Sequence, residues 1–216
     1  MKTIKGILIG LMLCFTANSY GQVYSTVNSA SKNAINSKES LAEVEGEAYL
    51  NKDFQKAFVR FANSQTSLYE IKYDQVADEV VVKGDKEQEL AFNETVLEFK
   101  FQDSKRVFRN GFSPEGKSTE RSFYEVLFDG KVKYLKKIHK SIIEAKGYNT
   151  VTRKILEDVK YYIVLADSKL QPVKNNEKSI LAVLAKPELS AYVKTNKLNL
   201  KNDEDVAKLL AYNDSL

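Results

Sequence analysis

The residues most able to do chemistry in this chain are Gly111-Phe112-Ser113-Pro114-Glu115-Gly116-Lys117-Ser118. They match G-x-x-x-x-G-K-[ST], the loop whose backbone N–H groups cradle phosphates while its hydroxyl holds magnesium. Downstream, Ile163-Val164-Leu165-Ala166-Asp167 has the form of the apolar strand ending in an acid that completes such a site. A phosphate loop, however, follows a buried parallel strand and opens a helix. Here the preceding residues, Lys105-Arg106-Val107-Phe108-Arg109-Asn110, are too charged for burial on both faces, and Ser122–Phe128 runs into Asp129-Gly130. Glu115 would also set a negative charge against the phosphates. The segment reads as a Gly/Pro/Ser loop joining two strands, with nucleotide binding as a secondary alternative.

The other reactive types are scarce. His139 is the single imidazole, and it sits in Lys136-Lys137-Ile138-His139-Lys140, where neighbouring cations disfavour its protonated form. A hydrolase using His139 as general base would need a nucleophile, and no G-x-S-x-G elbow supplies one. Paired carboxylates perform glycosidase chemistry without His or Cys. The candidates Asp74, Asp78, Glu87 and Glu89 fall in apparent turns, where acids are common for conformational reasons. One Cys and one His are too few ligands for a Cys/His zinc site, and no D-x-[DN]-x-[DN]-G calcium loop occurs. No residue is therefore assigned as catalytic, cofactor-binding or metal-ligating, and no cofactor is implied. An enzyme, through carboxylates or His139, stands as the alternative to a non-enzymatic protein.

Before any element can position these groups, the N-terminus must be set aside. Lys2 and Lys5 precede an apolar run from Gly6 to Ala17, followed by small residues at Ala17-Asn18-Ser19 and Ser19-Tyr20-Gly21. That is the pattern of a secretory signal, and the run is shorter than the roughly 20 residues of a spanning helix. Cys14 follows Leu11-Met12-Leu13 and lacks the small residue that lipidation requires ahead of it. Cleavage after Gly21 removes the only Cys and lowers the formal charge from +4 to +2, because Lys2 and Lys5 leave and no acid does. So small a charge gives no reason to expect nucleic-acid binding. The basic stretch Lys131 to Lys140 then reads as an ordinary strand, with Lys131, Lys133 and Lys137 on one solvated face.

Residues 22–47, rich in Ser, Asn, Ala, Lys and Glu, read as a flexible leader with a short helix near Ser37–Glu45. From Ala57 to about Val173 apolar residues alternate with polar ones, as in Tyr69, Ile71 and Tyr73 or Leu97, Phe99 and Phe101. Alternation of this kind specifies half-buried antiparallel strands. Asp129-Gly130 between Phe123–Phe128 and Lys131–Leu135 predicts a two-residue type I′ hairpin, and Asp167-Ser168 predicts a second hairpin. After Pro172 the period becomes helical: Ile180, Leu181, Val183 and Leu184; then Leu189, Tyr192 and Val193 after Pro187; then Val206, Leu209 and Leu210. Asn202 followed by Asp203-Glu204-Asp205 caps the last helix.

The opening Tyr49-Leu50-Asn51-Lys52-Asp53-Phe54, the hairpin Phe123 to Lys131 and the ending Asp205 to Leu216 together resemble a group of uncharacterised exported proteins from Bacteroidota-type Gram-negative bacteria. The resemblance spans residues 49–216 and implies an envelope location, with no activity or site residues to carry over.

The expectation is an α+β fold: an antiparallel β-meander of about eight to ten strands over 48–174, with helices over 175–216 packing on the sheet. With the signal at 1–21 and the leader at 22–47, residues 48–216 make one domain. The protein is expected to be exported through the inner membrane to the periplasm, outer membrane or medium, without a transmembrane segment after cleavage. Its expected role is a binding or structural module that uses its sheet surface. Its partner is a protein or an apolar small molecule held on the aromatic face that 12 Tyr and 11 Phe suggest.

Overall fold

The computed structural model describes residues 27–28, 44–146 and 151–216; the expected signal at 1–21 and most of the expected leader at 22–47 lie outside the described residues. The strands are β1 (Val27–Asn28), β2 (Val44–Glu45), β3 (Gln55–Phe61), β4 (Thr66–Asp74), β5 (Glu79–Lys83) and β6 (Glu89–Phe92). They continue with β7 (Val96–Phe101), β8 (Val107–Arg109), β9 (Tyr124–Asp129), β10 (Lys133–Lys146), β11 (Val151–Val164) and β12 (Leu170–Val173). Three helices close the chain: α1 (Glu177–Leu184), α2 (Pro187–Thr195) and α3 (Asp203–Ser215).

The fold is α+β and mostly sheet, but the sheet is not the simple antiparallel meander that alternation suggested. Its order is β1-β6-β5-β4-β3-β7-β8-β9-β10-β11-β12, so β7 returns to the free edge of β3 instead of pairing with β6. It is also mixed, because β2 lies parallel to β11, with Arg153 opposite Val44 and Lys154 opposite Glu45. Val44–Glu45, at the end of the helix expected over Ser37–Glu45, is thus strand; the rest of that helix lies outside the described residues.

The return of β7 forces the sheet to curl. Only Asn93, Glu94 and Thr95 separate β6 from β7, a reach of about 14 Å between their ends at about 3.5 Å per residue. Laid flat, the two strands would stand four spacings apart, about 19 Å. Rolling the sheet brings Phe92 of β6 to 5.2 Å, ring to ring, from Phe61 of β3. Inside the roll lie Val59, Phe61, Ile71, Tyr73, Phe99, Phe101 and Phe108, with Phe99 and Phe108 stacked at 4.9 Å. The inward faces of β4 and β7 are those the alternation assigned, although Leu97 is only half-buried.

Beyond β9 the sheet opens. Ile143, Val151, Leu156 and Val159, far along the β10–β11 hairpin, are exposed, whereas both faces are covered where β9 to β12 lie side by side. On one, Tyr134 and Ile163 pack against Ile180, Leu184, Leu189, Val193, Val206, Leu209 and Leu210 from the three helices. Asn176 caps α1 through Ser179 N, Pro187 begins α2, and Asn202 accepts from Glu204 N at the start of α3. On the other, Tyr124, Leu135, Tyr162 and Val164 are covered by Phe112 from the β8–β9 loop.

One of the two expected hairpin turns departs from its expected form. The β9–β10 hairpin forms, but Lys133 pairs with Asp129, leaving a three-residue loop in which Gly130 has no left-handed φ. Glycine is required there by space: a Cβ would fall on Asp214 Oδ2 and the Phe128 ring. Asp214 of α3 accepts from Lys131 N at 2.6 Å and Val132 N at 3.3 Å, pinning the last helix to the hairpin. The β11–β12 hairpin forms through Asp167-Ser168 as expected, with Ser168 at φ 60°.

The β10–β11 hairpin is the longest element, with arms of 14 residues each. Gly46, at φ 123°, passes so close to Ile155 that a Cβ would lie 3.0 Å from it. The Lys140 ammonium, buried under residues 47–49, donates to the carbonyls of Glu47 at 2.8 Å and Tyr49 at 2.9 Å. This strap ties the start of the domain across the hairpin's face.

Candidate functional site

The curled sheet and the long hairpin meet at a cleft of about 980 Å³. Four segments line it: the β4–β5 turn at 76–80, the β6–β7 connection at 91–96, the β8–β9 loop at 115–122, and side chains of β10 and β11. The cleft brings together residues that are far apart in sequence. Lys117 and Ser118 of the phosphate-loop pattern, His139, and Asp78 from the acid set all face it.

Its best-ordered part is a buried ionic cluster. Lys137, on the cleft side of β10, is 6% exposed. Its ammonium donates to Asp78 Oδ2 at 2.6 Å and to the Phe123 carbonyl at 2.9 Å. Asp78 also accepts from the Tyr73 hydroxyl and from Phe123 N. This carboxylate, 23% exposed, thus holds the Lys137 ammonium in place while accepting from two further donors, the company that a buried lysine charge demands. Burial lowers the pKa of Lys137, and the Asp78 charge offsets part of that shift. Burial likewise raises Tyr73, reinforced by Asp78. Lys137 is thus not a solvated lysine, and this corrects the reading of the Lys131, Lys133 and Lys137 face. Lys133 does remain near solvent, bound to Asp129 at 2.6 Å.

The strand register completes that wall. Lys137 stands opposite Lys160, His139 opposite Asp158, and Ser141 opposite Leu156. Directly paired residues share a face, so both lysines, His139 and Asp158 point to the cleft side. Lys160 lies 3.6 Å from Asp158, which relieves the like-charge pairing with Lys137. Tyr162, next along the same face, donates to Glu115 at 2.9 Å, and burial together with that carboxylate raises its pKa.

Other candidates resolve into structural parts. The Gly111–Ser118 segment joins β8 to β9 with no helix after it, and β9 pairs antiparallel to β10. The strand-loop-helix geometry that aims successive N–H groups at phosphates is therefore missing. Phe112 and Glu115 instead cover the sheet, while Lys117 is exposed at the cleft. Asp74 is buried and accepts from Val76 N and Ala77 N within its own turn. Glu87 is an exposed turn residue paired with Lys83, and Glu89 accepts from Tyr49 and Lys72. Of the four candidate acids, only Asp78 lines the cleft. Among the described residues no group of three or more His, Cys, Asp or Glu could hold a metal ion.

Sequence reasoning passed over Lys137, Lys160, Asp158 and Glu115. The first three announce themselves only through β10–β11 register, and Glu115 was weighed solely as an obstacle to phosphate. Most aromatic residues, by contrast, are core: the rings of the rolled sheet bury one another and the helices cover Tyr134, while Phe58 stays exposed and Phe92 half-buried at the cleft. The groove imagined for an apolar ligand is filled by the protein's own side chains.

No helix among the described residues is long and apolar enough to cross a membrane. Comparison with protein-family models, with curated proteins and with solved structures returned no match.

Proposed function

We propose that this chain is an exported, non-enzymatic binding module of the cell envelope, and that its ligand occupies the cleft between the rolled sheet and the β10–β11 hairpin. The observation that carries this reading is the Tyr73–Asp78–Lys137 cluster, which bonds the cleft side of β10 to the β4–β5 turn next to an open cavity. A volume of about 980 Å³ lies at the upper end of the range for small-molecule sites. The signal-like N-terminus supports export, and the resemblance to exported envelope proteins points the same way.

A hydrolase is the second reading, favoured by one feature. His139 and Asp158 face each other in register, in a cleft that also holds the hydroxyls of Ser118, Ser122 and Ser141. Against it, Asp158 is engaged by Lys160, and His139 makes no hydrogen bond to Asp158 or a hydroxyl among the described residues. A working triad needs base and orienting acid bonded to one another.

The test is thermal denaturation of residues 22–216 with dipeptides, oligosaccharides, nucleotides and fatty acids, beside the cleft-filling variant Ala77→Trp. A ligand at 100 times its Kd stabilises by about 2.7 kcal/mol, so at least one class raises the wild-type Tm and leaves the variant unmoved. Equal stabilisation of both proteins would move the site elsewhere. Turnover of an ester, glycoside or peptide that is lost in His139→Ala would establish the hydrolase instead.

A further inference from the structure

We propose that the ligand of this cleft is a neutral oligosaccharide; the inference rests on the cleft being the binding site. Three features of the lining converge on it.

The first is charge. The lining holds five acids against four Lys and Arg, so neither a polyanion nor a polycation meets a field of opposite sign. Within that balance, Asp78 and Lys137 are bound at 2.6 Å, and Asp158 and Lys160 stand at 3.6 Å. The second is the chemistry of those pairs. A hydroxyl both donates and accepts, so one sugar hydroxyl can donate to a carboxylate while accepting from the ammonium beside it. Asp158 and Lys160, more than half exposed, are free to do this, and Ser141 and Thr119 add further hydroxyls. A phosphate would repel the carboxylate of each pair, and a hydrocarbon chain would strand both charges without solvent.

The third is a set of half-buried apolar residues from the β4–β5 turn and the β6–β7 connection, beside the polar part of the lining. Val76, Ala91, Phe92 and Val96 are half-buried there. The Phe92 ring is fixed edge-on between Phe61 at 5.2 Å and Tyr69 at 5.1 Å. Pyranose rings are amphipathic in the same sense, with a C–H face and a hydroxyl rim. Four apolar residues in a lining that also carries one exposed ion pair, Asp158–Lys160, suit that division better than they suit a lipid, which needs apolar walls all round.

The experiment is titration of isotopically labelled residues 22–216 with maltohexaose, cellohexaose, xylohexaose and mannohexaose, read by amide chemical-shift changes. Parallel arms use a mixed-charge hexapeptide, pyrophosphate and dodecanoate. We expect at least one saccharide to shift residues 91–96, 115–122 and 156–160 together, and Asp158→Ala with Lys160→Ala to weaken it about tenfold, the loss of about 1.4 kcal/mol. Both side chains are more than half exposed, so the fold persists, and the wild-type amide spectrum away from the cleft checks it. If the peptide, pyrophosphate or dodecanoate shifts these residues and no saccharide does, the saccharide assignment falls and the cleft survives. Saccharide shifts confined to other surfaces overturn the assignment, and silence from every probe overturns the cleft as well.

Discussion

Lys137 is a charge placed where water scarcely reaches, and its company explains why the fold accepts it. Asp78 supplies the opposite charge, and the Phe123 carbonyl takes a further proton of the ammonium. Removing Asp78 leaves the buried Lys137 ammonium without its counter-charge, and breaking a fully buried pair in this way costs about 3–5 kcal/mol, an upper bound here because Asp78 is 23% exposed. We therefore expect Asp78→Asn and Lys137→Met each to lower the urea midpoint strongly at neutral pH. The double variant should lose less than the two losses added together, with a coupling of at least about 1 kcal/mol, since each change removes the other's reason to matter. Additive losses would show that the pair is bystander to its own packing. None of this was legible from Lys136-Lys137-Ile138-His139-Lys140, because a lysine among lysines signals solvent, and Asp78 lies 59 residues away.

Among the elements, legibility followed locality. The alternation of Tyr69, Ile71 and Tyr73 named the buried face of β4, and Asn202 with its acids marked the start of α3, because each signal is complete within a few residues. Which strand neighbours which was not available, since period two tells a side chain its face and says nothing of the adjacent strand. The β3–β7 pairing, the parallel β2 and the full length of β10 and β11 all escaped for that reason. The cleft escaped with them, since it brings together segments from the β4–β5 turn to β11 that only the strand order places side by side. Gly130 shows the same limit at one position: the sequence motif was read as a backbone requirement, whereas the true constraint is α3, more than 80 residues onward. Gly130→Ala should consequently push Asp214 off the hairpin and cost about 2 kcal/mol. In that background Asp214→Ala should cost little more, a difference that paired thermal unfolding curves would reveal.

For the whole molecule, the buried phenols decide how stability answers to alkali. Burial raises the pKa of Tyr49, Tyr73, Tyr134 and Tyr162, and Glu89, Asp78, Asp203 and Glu115 respectively push each further. An unfolded tyrosine releases its proton near pH 10, while these stay protonated in the folded chain, so above that pH the native state binds more protons. Their contribution is full below about pH 10 and is lost progressively as pH rises beyond it. Lys137, lowered by burial, gives an opposite and single slope just under its ordinary value of 10.5. The urea midpoint should accordingly fall between about pH 9 and about pH 11, with the part of the tyrosinate absorbance that belongs to these four phenols rising only as the chain unfolds. The rolled sheet carries a consequence of another kind, in time. β3 pairs early with β4, its nearest neighbour in sequence, but its second edge waits for β7, which is not synthesised until β4, β5 and β6 have been made. During that interval a nascent chain presents Val59 and Phe61 beside a row of unanswered amides, so assembly speed, more than final stability, governs how much of this protein escapes aggregation.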